Sequence, residues 1–451
     1  MLNQTDDMVA QLIRLSLLSQ DDLPEDALLF ARASLLDWLI CGRAGRTEPV
    51  ANKLRQYAQS DTPSGCSSVF GGTSTSPRLA AMVNGAISHA LDYDDTHFAH
   101  VGHLSVGIYP AVLAIAEQTD ATASQVVAAF LVGAEAAIRT GCLLGTAHYN
   151  KGFHQTATAG AFGATLAAGR LLNLDEAALR HALGLCASRA AGLKSQFGTM
   201  GKPVNAGLSA SNGVEAALFA SLGVTSADDG LLGTQGFIAT HNDKADGVEA
   251  EGSRVGAVWQ NPPPDHFVFM QNSYKFHACC HGTHAMIEAL QRIYTDHNGS
   301  SDKPVSINLR TNPRWLSVCN IQEPTTGLEV KFSYSWLAAM VFSGYSTADD
   351  RAYTDALTTD GALAELAGRV AVTGDSELSD EQAIGSVEFT GGTSVPFEYD
   401  LAETQTIESL MQRLESKAQT VLGEESEVLL VLIRNHEQLK ASDIGDFIAR
   451  A

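Results

Sequence analysis

From His89 to His103 the sequence reads HALDYDDTHFAHVGH, which sets His89, His97, His100 and His103 beside Asp92, Asp94 and Asp95 within fifteen residues. The surroundings are apolar and helical in pattern, and burying so many polar groups there without partners is costly. A structural account makes Asp and Thr helix caps and the histidines satisfied core residues. The density of the cluster favours a site, because groups with perturbable charge concentrate where chemistry is done. An imidazole, with an ordinary pKa of about 6.5, is the side chain suited to taking and returning protons near neutral pH. His97, His100 and His103 recur every three residues, so on a helix they would share a face and bind zinc. Gly102 and the β-branched Val101 interrupt such a helix, and no HExxH pattern accompanies them. Proton transfer is therefore preferred, and no metal is expected.

A second group runs from Lys194 to Gly207, KSQFGTMGKPVNAG. Its glycines permit tight turns with bare backbone N–H groups, Pro203 suits the first turn of a helix, and Lys202 stands at that turn. The arrangement suits an anion, yet it is not a phosphate-binding P-loop, since neither the GxxxxGK[ST] spacing nor a preceding apolar strand is present. A third group, Lys275 to His284 (KFHACCHGTH), holds Lys275, His277, His281, His284 and the adjacent Cys279 and Cys280. Nothing there fixes a Cys–His–Asn arrangement, and adjacent cysteines more often pack as small hydrophobes. With ten lysines in the chain, Lys202 and Lys275 stand out by their Gly- and His-rich settings, where cations can meet substrate carboxylates. His154, just before a helical stretch, offers another donor.

The elements that must carry these groups follow from periodicity. Apolar positions recur at helical spacing from Pro24 to Ile40. Gln125–Leu144, Thr156–Leu172 and Leu208–Leu222 are rich in Ala and Gly, as helices that pack closely on other helices require. These predict a buried all-helical core for the first 264 residues. The stiff stretch Asn261-Pro262-Pro263-Pro264-Asp265 marks a break. Beyond it, short β-like runs at Val305–Leu309 and Ser386–Phe389 alternate with helical stretches at His281–Tyr294 and Tyr334–Phe342, which predicts a smaller α+β domain over 265–402. Helical patterning returns over Glu403–Leu422 and Ser442–Ala449, so residues 403–451 are expected to dock back on the first domain.

The whole chain narrows the partners. With 451 residues, 45% hydrophobic and 18% charged, it is a globular protein of mainly α class. A formal net charge of -22 disfavours nucleic acid and anionic membranes, but leaves room for a small anionic carboxylic acid met by a few focused cations. No apolar run is read as a membrane span, and Met1–Asp7 lacks the pattern of a secretory signal. Seven scattered cysteines suit reduced thiols, so a cytoplasmic location is expected.

Taken in order, these segments resemble the MmgE/PrpD family. The resemblance covers Leu36-Asp37-Trp38, His89–Thr96, Gly152–Gly163, Gly198–Gly207, Gly236-Phe237, Lys275–His284 and Lys331-Phe332-Ser333-Tyr334, with HALDYDDT and GTMGKP as a specific pair. It implies a large all-helical domain with a smaller α+β lid domain, a homodimer, and no cofactor. It also implies an active site on Asp92, Thr96, His103, His154, Lys202 and Lys275. The family includes 2-methylcitrate dehydratase, cis-aconitate decarboxylase and iminodisuccinate epimerase, so the reaction expected is proton abstraction beside a carboxylate of a small di- or tricarboxylic acid. Three departures weigh against decarboxylation. The Thr96–His103 loop reads one residue longer than in the decarboxylase. Val318 stands where that enzyme has an active-site tyrosine, and Cys280 or His281 aligns with its histidine after the lid lysine. Dehydration is preferred, epimerisation is the alternative, and a non-catalytic scaffold is the reading from another class. Within that chemistry His103 is expected to be the base and His154 the acid. Asp92 would orient a histidine, Thr96 would hold substrate, and Lys202 and Lys275 would meet its carboxylates.

Overall fold

The computed structural model describes residues 2–61, 65–242, 258–297, 303–403 and 405–451, with side chains from Met8 onward. The chain is mainly α and divides into two compact units, Met1–Tyr274 with Ile407–Ala451, and Lys275–Thr406.

The first unit contains helices α1 (Leu2–Leu17), α2 (Glu25–Gly45), α3 (Pro49–Asp61), α4 (Pro77–Ser88), α5 (Ser105–Gln118), α6 (Ala123–Lys151), α7 (Gln155–Leu171), α8 (Glu176–Ala187), α9 (Gly201–Ser221) and α10 (Phe237–His241). Their ends are written in the sequence. Thr122 and Gln125 form a reciprocal capping box at the start of α6, and Gly152, at φ 119°, closes it in the left-handed conformation. Asp175 accepts the Ala178 amide at the start of α8. At the centre, α4, α5, α7 and α9 pack against one another, and two glycine contacts set their spacing. A Cβ on Gly85 would lie 2.8 Å from Gly207 Cα, and one on Gly207 would lie 2.2 Å from the Met82 carbonyl oxygen. No larger residue fits between α4 and α9 at this distance.

Three expectations need correction here. The first unit is not purely helical, because β1 (Ser67–Val69) and β2 (Gly72–Thr75) form a short antiparallel hairpin turned at Phe70-Gly71, with Gly71 at φ 58°. Neither strand is long enough to show an alternating pattern. Helix α9 begins at Gly201, seven residues before the apolar stripe at Leu208; Pro203 does sit in its first turn, as its type suggests, where a missing N–H costs nothing. Finally, α6 is long and apolar enough to cross a membrane by length and composition, although no such run was read in the sequence; its apolar window is entirely buried within the protein.

The first unit runs on past the prolines to Tyr274, whose hydroxyl lies 2.9 Å from Ser34 Oγ, while Asn272 Nδ2 donates to Asp95 Oδ2 at 2.7 Å. Within the second unit lie α11 (His284–Asp296), β3 (Pro304–Thr311), α12 (Gly327–Val330), α13 (Tyr334–Phe342), α14 (Gly361–Ala367), β4 (Val370–Gly374), β5 (Gln382–Phe389) and β6 (Ser394–Asp400). The strands form one sheet in the order β4-β3-β5-β6, parallel between β3 and β4 and antiparallel elsewhere. Ile307, Leu309, Val387 and Phe389 alternate with exposed Asn308, Arg310 and Glu388, so one face is buried. Helix α11 packs on β5 and β6, and α13 on β4.

The last helices, α15 (Ile407–Leu422), α16 (Glu425–Arg434) and α17 (Ala441–Ala449), belong to the first unit. Lys417 on α15 and Asp37 on α2 form a fully buried ion pair at 2.6 Å.

Candidate active site

The stretch from His89 to Leu104 is irregular chain between α4 and α5. Asp92 takes φ 51° and Val101 φ 53°, left-handed values uncommon for residues with side chains. The chain is pinned by side chains rather than by a ladder. Asp95 accepts from the Ser105 amide at 3.0 Å, from Ser105 Oγ at 2.6 Å and from Asn272, and so closes the start of α5. Thr96 pairs with Ser273 through two backbone hydrogen bonds of 2.8 Å.

His103 is buried at the end of this loop, and its amide donates to Thr156 Oγ1 at 3.0 Å. Its Nδ1 lies 2.9 Å from the Asp95 carbonyl oxygen and 2.8 Å from Asp94 Oδ2. The hydrogen bond runs to the Asp95 carbonyl, while Asp94 Oδ2 is a close charge contact without hydrogen-bond geometry; an acceptor at Nδ1 puts the hydrogen there and the lone pair on Nε2. Burial lowers the His103 pKa to about 4, against the pull of Asp94. His103 is therefore neutral at pH 7. Asp94 is shared, with Oδ1 accepting from His89 Nδ1 at 2.8 Å. Burial alone would raise the Asp94 carboxyl, but His103 and His89 beside it hold it well below the usual carboxylate range.

On the other side of the imidazole, His103 Nε2 lies 3.4 Å from Asp92 Oδ1, and Lys202 Nζ lies 2.7 Å from the same oxygen. Lys202 is the second residue of α9, with its ammonium 5.4 Å from the Phe197 ring centre. His154 precedes α7 and is buried, its ring 6.2 Å from that of His89. Asn205 Nδ2, which donates to the Leu193 carbonyl, also donates to His154 Nδ1 at 3.2 Å, leaving Nε2 as the protonated nitrogen. Burial, helped by the Lys202 charge, holds the His154 pKa well below the usual histidine value.

Asp92, His103, His154 and Lys202 thus gather at the α5, α7 and α9 starts, with Thr96 on the same loop. The sequence singled out Asp92 as the residue orienting a histidine. The structure puts Asp94 against Nδ1 and Asp92 against Nε2. His89, Asp94 and Asn205 carry no assigned role in the sequence reading, although all three lie inside the quoted segments; a histidine five residues from an aspartate is the signal available for the first two. The helical face on which His97, His100 and His103 would bind zinc, set aside in the sequence, is not what these residues form. His97 Nε2 meets the Val268 carbonyl at 3.0 Å and His100 Nδ1 the Ala137 carbonyl at 3.2 Å, because the segment is a turn and not a helix. Among the described residues, His89, Asp92, Asp94 and His103 have ligand-type atoms within 4.8 Å of one another. Their spacing is that of the hydrogen bonds and ion pairs just given.

Lys275 opens the second unit and is buried. Near it, Cys279 Sγ lies 3.2 Å from Thr283 Oγ1, and burial pushes that thiol up to about 12. Burial likewise keeps His284 neutral. Cys279 is therefore a thiol and not a thiolate at neutral pH.

The chain is 32% identical over 296 residues to a cis-aconitate decarboxylase of Aspergillus terreus, covering 62% of this chain and 59% of that protein. It is 30% identical over 295 residues to a cis-aconitate decarboxylase-like protein of Aspergillus oryzae, covering 61% and 59%. Against cis-aconitate decarboxylase of Homo sapiens it is 31% identical over 201 residues, 43% of this chain and 42% of the other. The chain thus matches less than two thirds of the length of these relatives. Family models of the MmgE/PrpD N-terminal domain, over residues 15–248, and of the MmgE/PrpD C-terminal domain, over residues 277–438, together account for most of the sequence, and the chain belongs to the MmgE/PrpD family.

Proposed function

We propose that this protein is a lyase that removes a proton beside a carboxylate of a small di- or tricarboxylic acid, without a cofactor, and eliminates water. The observation that carries the reading is the line His103 Nε2, Asp92 Oδ1, Lys202 Nζ, with separations of 3.4 and 2.7 Å. A neutral imidazole presents a lone pair to the spot where an ammonium already holds a carboxylate oxygen. A substrate carboxylate taking that spot would bring its α-hydrogen to the base. Removing the hydrogen loads a second negative charge onto the carboxylate, and prepositioned cations and dipoles are the main means of stabilising it.

In this mechanism His103 takes the proton and Asp94 stabilises the imidazolium that forms. Lys202 meets the developing charge, Thr96 holds substrate, and Lys275 meets a second carboxylate, as the family resemblance implies. His154 is assigned to the departing hydroxyl. Because it is held neutral with hydrogen on Nε2, it donates a hydrogen bond to that hydroxyl, and the proton taken by His103 is passed to the departing hydroxide, so that water leaves and His103 returns to its neutral form. A small α+β lid domain and a homodimer complete the proposal. Decarboxylation is the second reading, favoured by the names of the relatives; Val318, 43% exposed, brings no hydroxyl to that task.

The test is incubation with a panel of hydroxy-, imino- and unsaturated polycarboxylates in D₂O, followed by NMR. Dehydration yields an alkene with no carbon lost. Release of CO₂ establishes decarboxylation instead, and deuterium exchange without net loss establishes epimerisation. No change with any acid would leave a scaffold protein. On the active acid, His103→Ala should lower kcat by roughly 10²–10⁴-fold with a smaller change in KM. Lys202→Ala should damage both.

A further inference from the structure

The Leu36-Asp37-Trp38 motif and the returning C-terminal helices have so far had no part in the chemistry. The ammonium of Lys417 on α15 joins them to it. It donates to Asp37 Oδ1 at 2.6 Å and to the Tyr93 carbonyl oxygen at 2.7 Å, and it lies 3.9 Å from the centre of the Tyr93 ring. Both charged side chains are essentially inaccessible, at 1% and 0% exposure.

We propose that Lys417 is a positioning residue for the reaction, fixing the main chain at Tyr93 and through it the carboxylate of Asp94. The proposal rests on the reading of His103 as the base. Pairing with Asp37 alone would satisfy the charge, and two packed apolar residues would join α2 to α15 as well as a buried pair does. What such residues could not supply is the bond to Tyr93. That carbonyl belongs to the planar peptide linking Tyr93 to Asp94, so holding its oxygen fixes the orientation of the plane from which Asp94 departs. The need is local. Residues 91–95 have no helix or strand hydrogen bonding of their own, and Asp92 just before is in the left-handed region. Asp94 must nevertheless place its two oxygens 2.8 Å from His89 Nδ1 and 2.8 Å from His103 Nδ1 at once. A displacement of about 1 Å in such a constellation is enough to slow a reaction markedly.

The experiment compares three enzymes. Asp37→Leu/Lys417→Met removes both charges, so neither is left buried alone, and it removes the donor to Tyr93. Asp37→Asn keeps Lys417 and that donor. Should the apolar pair fail to fold, Asp37→Asn/Lys417→Met, which also has no charge and no donor at position 417, takes its place with the same readouts. The readouts are steady-state kinetics and the downfield His103 Nδ1 proton in spectra of ¹⁵N-histidine-labelled protein. The double variant should fold, lose about 10- to 100-fold in kcat with KM within about twofold, and lose or shift the His103 resonance. Asp37→Asn leaves Lys417 without its carboxylate and should lower Tm, but once folded it should retain both. A folded double variant with wild-type kcat and an unmoved resonance overturns the proposal, as does Asp37→Asn losing as much as the double variant. Failure of the base assignment shows elsewhere, as a His103→Ala enzyme that turns over normally.

Discussion

Replacing Asp94 by Asn is the sharpest test of how the base is supported. The side chain keeps its shape, but the charge facing His103 is lost. When His103 takes a proton it becomes an imidazolium whose Nδ1 is 2.8 Å from Asp94 Oδ2, with charge centres about 4 Å apart. At an effective dielectric of about 20 that attraction is about 4 kcal/mol, or about 10³ in rate if the charge were fully formed in the transition state. The proton is only partly transferred there, so kcat should fall by roughly 10²–10³-fold. Since Asp94 does not touch Lys202, KM should change little. The carboxylate also raises the His103 pKa against burial, so the acid limb of the remaining activity should move to lower pH. The assay is substrate turnover and deuterium uptake from D₂O across a pH series, with thermal melts to confirm folding. A folded Asp94→Asn enzyme within threefold of wild-type kcat would refute the reasoning.

Other outcomes follow from the same geometry. Because burial brings His103 down to about 4, it is in its basic form at all pH values above that, and kcat/KM of the wild type should fall on the acid side with a midpoint near 4. A midpoint near 6.5 would mean a solvated base. Exhaustive chelation should leave turnover intact, as the His89, Asp92, Asp94 and His103 contacts are assigned to hydrogen bonds and ion pairs; loss restored by a divalent ion would make the cluster a metal site. Gly207→Ala would set a Cβ 2.2 Å from the Met82 carbonyl oxygen and should lower Tm by roughly 3–10 °C, whereas Gly361→Ala, with nothing within 4 Å, should not.

What could be read from the sequence was decided by the range of the interactions involved. Tyr334–Phe342 was predicted residue for residue, and Gln155–Leu171 within one, since apolar periodicity and capping are local signals. The β1–β2 hairpin escaped because strands of three and four residues carry no period. The candidate site divides the same way. His103 and Lys202 stand out in the sequence by their settings of His, Asp and Gly, and His154 by its place before a helix, while the family resemblance assigns all three to one site. That Asp94 rather than Asp92 faces Nδ1 depends on the left-handed turn at Asp92, which composition does not specify. Lys417 was invisible for a different reason: its partners lie 380 and 324 positions away.

That last separation has a consequence in time. A chain is made from its N-terminus at about 5–20 residues per second, so Tyr93 and Asp37 emerge roughly a quarter of a minute to a minute before Lys417. Over that interval the loop bearing His103 lacks one of its fixings, and Asp37 lacks the cation it is buried with. The final geometry of the proton-transfer residues is therefore set after, not during, synthesis of the helices that carry them. A nascent chain arrested before residue 407 should leave Asp37 and the Tyr93 carbonyl open to solvent exchange, and release of the complete chain should close them together.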